Sequence, residues 1–389
     1  MPARTYRLSA VLLVASAALA SSCGSAPEAS EQVDSTDQPI VNGAASTSAQ
    51  NYTVLILHPV SLTEEYECSG TLLTPTVVLT ARHCVSQTPD QGFSCDASGN
   101  GSSGGAVGAD YDPSSLQIYV GASRPSMSAT PTATGVKISH DDATNLCNHD
   151  LALITLGTPI AGADIAPIRL SGSVTVGESL TAIGWGVTTT TATPSARQQR
   201  TGVPILEVGP YTDPNGYDVP PNEFDVGEAI CQGDSGGPGV DGTTGAVVGV
   251  VSRGGNDATP STSDPSATCV NDPGNLVYNF YTQTTAFADL ITQVCTASGQ
   301  APWLEGGPDP RLAAGGAACT AASDCQSGVC DSGACTAFVG TEPTVAAAPK
   351  SGGGCALTPA GVDSRAGWAG IAGAVLAIRR RRRRPRSRA

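Results

Sequence analysis

Positively charged side chains are scarce in this sequence. Its 389 residues include 20 Lys and Arg against 34 Asp and Glu, and charged residues make up 14% of the chain. Between residues 40 and 354 the imbalance is sharper, with 9 Lys and Arg against 29 Asp and Glu, a net charge of −20. Because a surface this acidic repels polyanions, neither nucleic acid nor an anionic membrane is expected as a partner.

Long apolar runs are also lacking, and the two short ones lie near the ends. Leu8–Leu19 follows a basic region and is too short to span a bilayer, so residues 1–22 are predicted to be an export signal peptide. The small residues before Cys23 resemble a bacterial lipobox, which implies lipidation of Cys23. Ordinary cleavage near Ala20 or Ser22 is the alternative. Export implies an oxidising compartment, in which cysteines pair.

The second apolar stretch, Ala366–Ile378, is followed at once by the arginines Arg379–Arg384. Such a segment would halt export with the basic tail in the cytoplasm. Together with the Gly-Cys pair at Cys355, it resembles the C-terminal sorting signals of Gram-negative bacteria, the myxobacterial type above all. Residues 355–389 are therefore predicted to be a sorting signal with a transmembrane segment at 366–378, cleaved near Cys355. A nucleic-acid-binding tail is the weaker alternative, because an apolar segment directly precedes the arginines.

The segment Cys231–Pro238 reads Cys-Gln-Gly-Asp-Ser-Gly-Gly-Pro and sets Ser235 among glycines. Glycines permit a tight turn that exposes the serine Oγ. The N–H groups of Gly233 and Ser235 can then face one point, where a tetrahedral oxyanion would form. The same residues fit the nucleophile turn of α/β-hydrolases. That fold places its histidine after the serine, whereas all four histidines here precede Ser235, so it is excluded.

Two further segments complete a catalytic pattern. An apolar run, Val77–Thr80, leads to His83, and Asp150 stands directly before the apolar run Leu151–Ile154. Imidazole titrates near neutrality and suits the task of taking the serine proton. The chain order His, Asp, Ser is that of chymotrypsin-like proteases.

On these motifs the chain resembles the trypsin/chymotrypsin family over roughly residues 40–297. The resemblance implies two Greek-key β-barrels with a short C-terminal helix, and a catalytic triad of His83, Asp150 and Ser235. It also implies an oxyanion hole formed by Gly233 and Ser235. Three further segments support it: Gly184-Trp185-Gly186, Val251-Ser252-Arg253-Gly254 as the substrate-binding strand, and Val277-Tyr278 as the last barrel strand.

A pro-segment is predicted at residues 23–39, which are polar and without pattern. The following Ile40-Val41-Asn42-Gly43 resembles the N-terminus that activates zymogens of the family. The resemblance implies that the freed ammonium of Ile40 pairs with Asp234. Pro39 stands where Arg or Lys would permit tryptic cleavage, so a different activating protease is expected.

The resemblance also locates a substrate-binding pocket at Ala229, Ser252, Gly254 and Leu276. The trypsin-like subset carries an aspartate six residues before the nucleophile, where this chain has Ala229. A neutral, small or medium aliphatic P1 residue is therefore expected. Glu228 leaves an alternative open, because a shifted register would put its carboxylate at the base of the pocket.

Of the thirteen cysteines, eleven remain to be assigned besides Cys23 and Cys355. The resemblance implies disulfides Cys68–Cys84 and Cys231–Cys269, and Cys95 with Cys147 is the natural third pair. Residues 317–337 form a cysteine-rich module too small to bury a core, with two disulfides of open connectivity. A metal site there is the weaker alternative, because histidine and Cys-x2-Cys spacing are absent. Cys295 has no assigned partner. The four cysteines of the module are Cys319, Cys325, Cys330 and Cys335.

Short β-rich runs separated by Gly, Pro, Ser and Thr predict an all-β fold, with a helix over Thr285–Val294. Residues 298–316 and 338–354 are predicted to be linkers. The loop 86–115 carries carboxylates, the ligand type that calcium prefers, but it is better explained as a solvated loop. No cofactor or metal site is predicted. The loop acids are Asp90, Asp96, Asp110 and Asp112.

The sequence thus predicts an exported serine endopeptidase made as a zymogen and anchored at, or released from, the bacterial cell surface or outer membrane. Protein or peptide substrates, an activating protease, and the export and sorting machinery are its expected partners. The alternative is a catalytically silent binding or adhesion protein on a protease scaffold, because fold does not guarantee activity. The complete triad and the oxyanion glycines favour the enzyme.

Overall fold

A computed structural model of the chain describes residues 40–340, except 62–63, 90–91, 127, 190, 257, 259–260, 262–263 and 273. The signal peptide, the pro-segment, most of the second linker and the sorting signal lie outside the described residues, as do Cys23 and Cys355. The described part is mainly β-structure, and the all-β prediction is confirmed.

The described residues form twenty short strands, which are, in chain order, β1 Ala44–Ala45, β2 Thr53–Pro59, β3 Glu65–Thr74, β4 Val77–Thr80, β5 Ser94–Cys95, β6 Gly101–Ser103, β7 Gln117–Tyr119, β8 Ala133–Ser139, β9 Ala152–Leu156, β10 Ser179–Gly184, β11 Gln198–Pro204, β12 Glu207–Val208, β13 Tyr211–Thr212, β14 Asp218–Val219, β15 Glu223–Asp225, β16 Pro238–Asp241, β17 Val247–Gly255, β18 Tyr278–Gln283, β19 Cys330–Asp331 and β20 Ala334–Cys335.

Six antiparallel strands close the first barrel in the order β2-β3-β4-β9-β8-β7. A two-residue turn at Pro75 and Thr76 separates β3 from β4. Large aliphatic side chains such as Leu72, Leu79 and Ile118 are fully buried inside. Burying each contributes roughly 1.5–3 kcal/mol relative to exposure, so this core alone accounts for the closure.

An eight-stranded antiparallel sheet forms the second half, in the order β1-β11-β10-β16-β17-β18-β15-β12. It has a separate apolar core that includes Val203, Phe224, Val248 and Tyr281. The rings of Phe224 and Tyr281 stack with centroids 5.2 Å apart. The first core also includes Ile183, Val240 and Val250 of this sheet, so apolar packing joins the two halves.

The predicted C-terminal helix is present, shifted by three residues. A 3₁₀ turn at Thr284–Phe287 leads into the α-helix α1 at Ala288–Ala297. Its side chains Ile291, Val294 and Cys295 pack into the core of the first barrel. Among the described residues Cys295 has no disulfide partner, and burial raises the pKa of its thiol to about 12. The cysteine without a partner is thus a core residue. The other 3₁₀ turns are Ser48–Gln50, Arg82–Cys84, Pro113–Ser115, Ala267–Cys269 and Ala322–Asp324.

The cysteine-rich module is cross-linked by Cys319–Cys330 and Cys325–Cys335. These bonds settle the connectivity that the sequence left open. Its hairpin β19–β20 pairs Cys330 with Cys335, so the two disulfides hold one small sheet.

Residues 298–316, predicted to be a linker, make specific contacts with the preceding domain. Leu304 pairs with Ile168 in a parallel bridge, and the Glu305 carboxylate accepts hydrogen bonds of 2.7 and 2.8 Å from Arg169. Arg311 donates to the Ala163 carbonyl at 3.1 Å. Composition rich in Gly and Pro indicated flexibility, but a few side chains with specific partners suffice to attach the segment to the protein.

Among the described residues, no helix has the length and hydropathy to cross a membrane. The predicted transmembrane segment at 366–378 lies outside them.

Candidate active site

A cleft of about 720 Å³ contains the candidate catalytic side chains. Its lining combines His83 from the first barrel with Ser235, Ser252 and Gly254 from the second half. Phe93 and other residues of the long loop after His83 form a further wall. The site is therefore built where the two halves meet.

His83 and Asp150 are brought together by strand pairing. β4 and β9 are neighbours, with Thr80 opposite Ala152, so the residues that follow β4 and precede β9 lie side by side. The Nδ1 atom of His83 is 2.8 Å from Oδ2 of Asp150, and the backbone N–H of His83 donates to Oδ1 at 2.9 Å. Ser252 on β17 adds a third donor, its Oγ lying 2.7 Å from Oδ2.

Asp150 and His83 each stabilise the charged form of the other. Burial alone would raise the pKa of Asp150, but the positive charge that His83 can carry and the hydrogen bonds from His83 and Ser252 lower it below its ordinary value. Burial would lower the pKa of His83, and the Asp150 carboxylate outweighs this and raises it. Asp150 is therefore an anion at neutral pH. With Nδ1 directed at Asp150, Nε2 is the ring nitrogen left for proton transfer.

Ser235 sits on a turn that only glycines allow. Gly233 and Gly236 have φ values of 95° and 78°, in the left-handed region that favours glycine. The turn is closed by hydrogen bonds from Asp234 N–H to the Cys231 carbonyl at 3.1 Å and from Gly237 N–H to the Asp234 carbonyl at 2.8 Å. Ser235 is half-buried and lines the same cleft as His83.

Asp234 is fully buried beside the turn. Its two carboxylate oxygens accept hydrogen bonds from Gly186 N–H at 2.8 Å and Cys231 N–H at 2.9 Å. Burial outweighs these bonds and raises the pKa of Asp234 to about 7, with the nearby charge of Glu67 adding to the effect. Within the described residues no cation pairs with this carboxylate. Ile40 is buried as well.

Two of the four predicted pocket residues lie elsewhere. Ser252 and Gly254 line the cleft, but Ala229 is buried in the core of the second half and Leu276 is 55% exposed outside the lining. The assignment of Leu276 to the pocket is therefore corrected. β18 begins two residues later, and its register places Asn279 opposite Gly254.

Asn279 is the wall residue that the sequence did not indicate. It lines the cleft, is almost fully buried, and donates through Nδ2 to the Gly227 carbonyl at 2.7 Å. A Cβ at position 254 would overlap its Oδ1. Two apolar-aromatic pairs, Val277-Tyr278 and Phe280-Tyr281, fit the pattern expected of the last strand. The sequence alone cannot distinguish them, and the pairing of β18 with β17 fixes the register.

The structure does not support the alternative register, which would place the Glu228 carboxylate at the base of the pocket. Its carboxylate accepts hydrogen bonds from Asn42 Nδ2 at 2.6 Å and from the backbone N–H of Asn271 at 2.7 Å, and Arg200 lies 3.8 Å away. Glu228 does not line the cleft. It instead connects the segment after Ile40 to the loop before the nucleophile.

Two other histidines and the acids of the loop 86–115 have hydrogen-bond partners outside the triad. His149 pairs with Asp141 at 2.5 Å, and His140 lies 3.0 Å from Asp110. Asp96 accepts turn N–H groups and Asp112 accepts the N–H of Ser114, while Asp90 lies outside the described residues. Each described carboxylate of the loop 86–115 thus has its own local partners.

The three disulfides expected within residues 40–297 are formed. They are Cys68–Cys84, Cys95–Cys147 and Cys231–Cys269. The first is adjacent to His83, the second ties the long loop to the segment before Asp150, and the third anchors the nucleophile turn.

Comparison with known proteins gives one family. Residues 40–291 match the family model described as Trypsin. None of the curated proteins matches the chain.

The uncleaved chain should lose stability through Asp234 as pH rises from about 4 to about 7. The folded state holds this proton more tightly than the unfolded chain, because burial raises the pKa from 3.8 to about 7. The unfolding free energy should therefore fall by up to about 1.4 kcal/mol per pH unit in this window and not above it. Asp234→Asn should remove this contribution, as measured by urea denaturation of both proteins at several pH values.

Asp241→Asn is the matched control. Burial raises the pKa of Asp241, but hydrogen bonds from Thr244 and Thr243 outweigh it and the pKa is lowered. This carboxylate stabilises the fold above its unfolded pKa and ceases to do so as pH falls, so its removal should change the profile in the opposite sense. Superimposable profiles for the parent protein and Asp234→Asn would contradict the raised pKa.

Proposed function

The chain belongs to the trypsin family of serine peptidases, and from this premise we propose that it is an active endopeptidase with Ser235 as nucleophile. His83 is the general base and Asp150 orients it. The observation that carries the proposal is the His83–Asp150 pair facing the same cleft as Ser235, with Asp150 fully buried and held by three donors.

The proposed reaction begins when Ser235 Oγ attacks the substrate carbonyl and its proton passes to His83 Nε2. The imidazolium is stabilised by the Asp150 carboxylate. The tetrahedral oxyanion accepts hydrogen bonds from the N–H groups of Gly233 and Ser235. His83 then protonates the leaving amine, which leaves an acyl group on Ser235. Water, deprotonated by the same imidazole, releases the product acid and restores the serine.

We further propose that the protein is made as a zymogen. The uncleaved structure leaves a buried Asp234 without a cation in the described residues, and Ile40 is itself buried. Release of residues 23–39 would create an ammonium on Ile40 that can neutralise this carboxylate. Arg200 supports the receiving site, since it donates to the carbonyls of Val41 and Glu228 at 3.0 and 2.7 Å.

Export and surface attachment complete the proposal. They rest on the signal peptide, the lipobox-like Cys23, the sorting signal with its apolar segment 366–378, and Cys355. Five disulfides in the described residues suit an oxidising compartment. Substrates are then extracellular proteins or peptides, and an activating protease and the export and sorting machinery act on the enzyme itself.

Substitution of the nucleophile should abolish proteolysis. Ser235→Ala and His83→Ala should each lower kcat/KM by roughly 10³-fold or more, because base and nucleophile act as a unit. Ser103→Ala, another serine of the cleft lining, should keep full activity. A fluorophosphonate probe should label Ser235, as located by peptide mapping. Labelling at another serine, or an active Ser235→Ala protein, would refute the mechanism and leave the binding-protein alternative.

Activation should depend on a free Ile40. Pro39→Arg should let trypsin release the pro-segment and raise activity at least about 10-fold, because the new ammonium neutralises Asp234. Trypsin should not activate the parent chain. Asp234→Asn in the Pro39→Arg protein should be cleaved equally well without gaining activity. Activity is measured with a peptide amide and the new N-terminus by Edman sequencing. Full activity before cleavage would rule out a zymogen.

Selectivity should favour small neutral P1 residues. The pocket residues Ser252, Gly254 and Asn279 supply no carboxylate, and a buried P1 arginine without a partner costs several kcal/mol. Peptides with P1 Ala or Val should have kcat/KM at least about 10-fold above those with Arg. Asn279→Gly should widen the pocket beside Gly254 and improve cleavage after larger residues. Leu276→Ala, outside the cleft, should not change the ranking, and a change there would restore the original assignment.

A further inference from the structure

Ser69 contacts the nucleophile turn from the first barrel. It lies on β3 next to the disulfide-bonded Cys68 and is fully buried. Its backbone N–H donates to the Ser235 carbonyl at 2.8 Å, and its Oγ donates to the Gly233 carbonyl at 2.9 Å. One residue therefore holds the carbonyls on both sides of Asp234.

The Ser69 hydroxyl uses both of its hydrogen-bonding capacities. Its Oγ accepts the backbone N–H of Trp185 at 3.0 Å while it donates to Gly233. The Ser69 carbonyl in turn accepts the hydroxyl of Thr80 at 2.9 Å, three residues before His83. The side chain thus connects the strand leading to the base with the turn that carries the nucleophile.

Gly233 needs an external restraint. Its φ of 95° is reached without strain only by glycine, and glycine has no side chain to limit rotation of its peptide groups. A rotation about Gly233 would re-aim the N–H groups on which the proposed oxyanion hole depends. The hydrogen bond from Ser69 Oγ fixes the carbonyl of this residue and so opposes that rotation.

Space around the hydroxyl is limited to a small side chain. A Cβ at position 237 would lie 3.1 Å from Ser69 Cβ, and one at position 184 would lie 3.1 Å from Ser69 Oγ. Thr71, two residues further along β3, differs in that its buried hydroxyl has no hydrogen-bond partner among the described residues. The Ser69 hydroxyl therefore makes hydrogen bonds at its site, whereas the Thr71 hydroxyl makes none with the described residues.

We propose that Ser69 is a positioning residue for the oxyanion hole, its hydroxyl holding the Gly233 peptide so that the N–H donors face the developing charge. The inference rests on the proposed peptidase activity and adds a group that does not touch substrate. It predicts a defect in turnover and in binding of transition-state analogues, with ground-state binding preserved.

The test compares Ser69→Ala with Thr71→Val in the activated enzyme. Active sites are counted with a fluorophosphonate, so that unfolded protein does not enter kcat. Ser69→Ala should lower kcat about 10-fold or more with KM within about twofold, below the loss from removing an oxyanion donor itself. Its affinity for a peptide boronic acid should fall in parallel with kcat. Thr71→Val should match the parent enzyme in both.

Three outcomes decide the question. A parent enzyme that neither reacts with the probe nor cleaves peptides refutes the proposed activity itself. A parent enzyme that does both, with unchanged kcat per active site in Ser69→Ala, overturns the role of Ser69. So does a rise in KM alone. If the alanine protein does not fold, Ser69→Cys keeps a polar group at the same place, with a larger sulfur atom that is only a weak donor. With Cys68–Cys84 verified by mass spectrometry, it should show the same loss of kcat, and parental turnover would overturn the inference.

Discussion

The burial of the Asp150 carboxylate is the constraint on which the arrangement of the site depends. An ion removed from water costs several kcal/mol unless it is fully hydrogen-bonded. Asp150 meets this need with two donors from His83 in the first barrel and one from Ser252 on β17 of the second half. A relative displacement of the halves would remove the Ser252 donor and leave part of the buried charge without a hydrogen bond. The same contacts that solvate Asp150 therefore fix where the imidazole stands.

Asp234 shows the opposite response to burial. Both aspartates are fully buried, yet the pKa of Asp150 is lowered and that of Asp234 is raised to about 7. The difference lies in charge: Asp150 faces an imidazole, whereas Asp234 has only backbone N–H groups. Gly184 and Gly186 leave room for it, since a Cβ at either position would collide with its carboxylate. The turn beside Ser235 is thus built around an anion that the described residues do not neutralise.

A second buried ion pair lies between the cleft and the segment before Asp150. Arg253 pairs with the buried Glu223 and packs over Phe280 at 4.2 Å and Phe93 at 5.1 Å. Glu223 also accepts the backbone N–H of Asn148 at 3.0 Å. The Glu223 carboxylate therefore contacts both the cleft wall, through Arg253, and the loop before Asp150, through Asn148. Two aromatic rings thus lie against the Arg253 guanidinium.

The sequence by itself determined the chemistry. The order of His83, Asp150 and Ser235 and the glycines around the serine have few other uses at those spacings, and the family resemblance that they carry implied the cysteine pairs. Apolar runs likewise indicate strands, because the alternation of apolar residues and the presence of β-branched side chains are local features of the sequence. Only the tertiary structure decided the pocket, the attached segment 298–316 and the environment of Asp234. The register of β18 against β17, which selects Asn279 over Leu276, and the partners of Ser69 and Glu305 depend on residues far apart in the chain. Such contacts are set by how two cores pack against each other, and no local pattern encodes that.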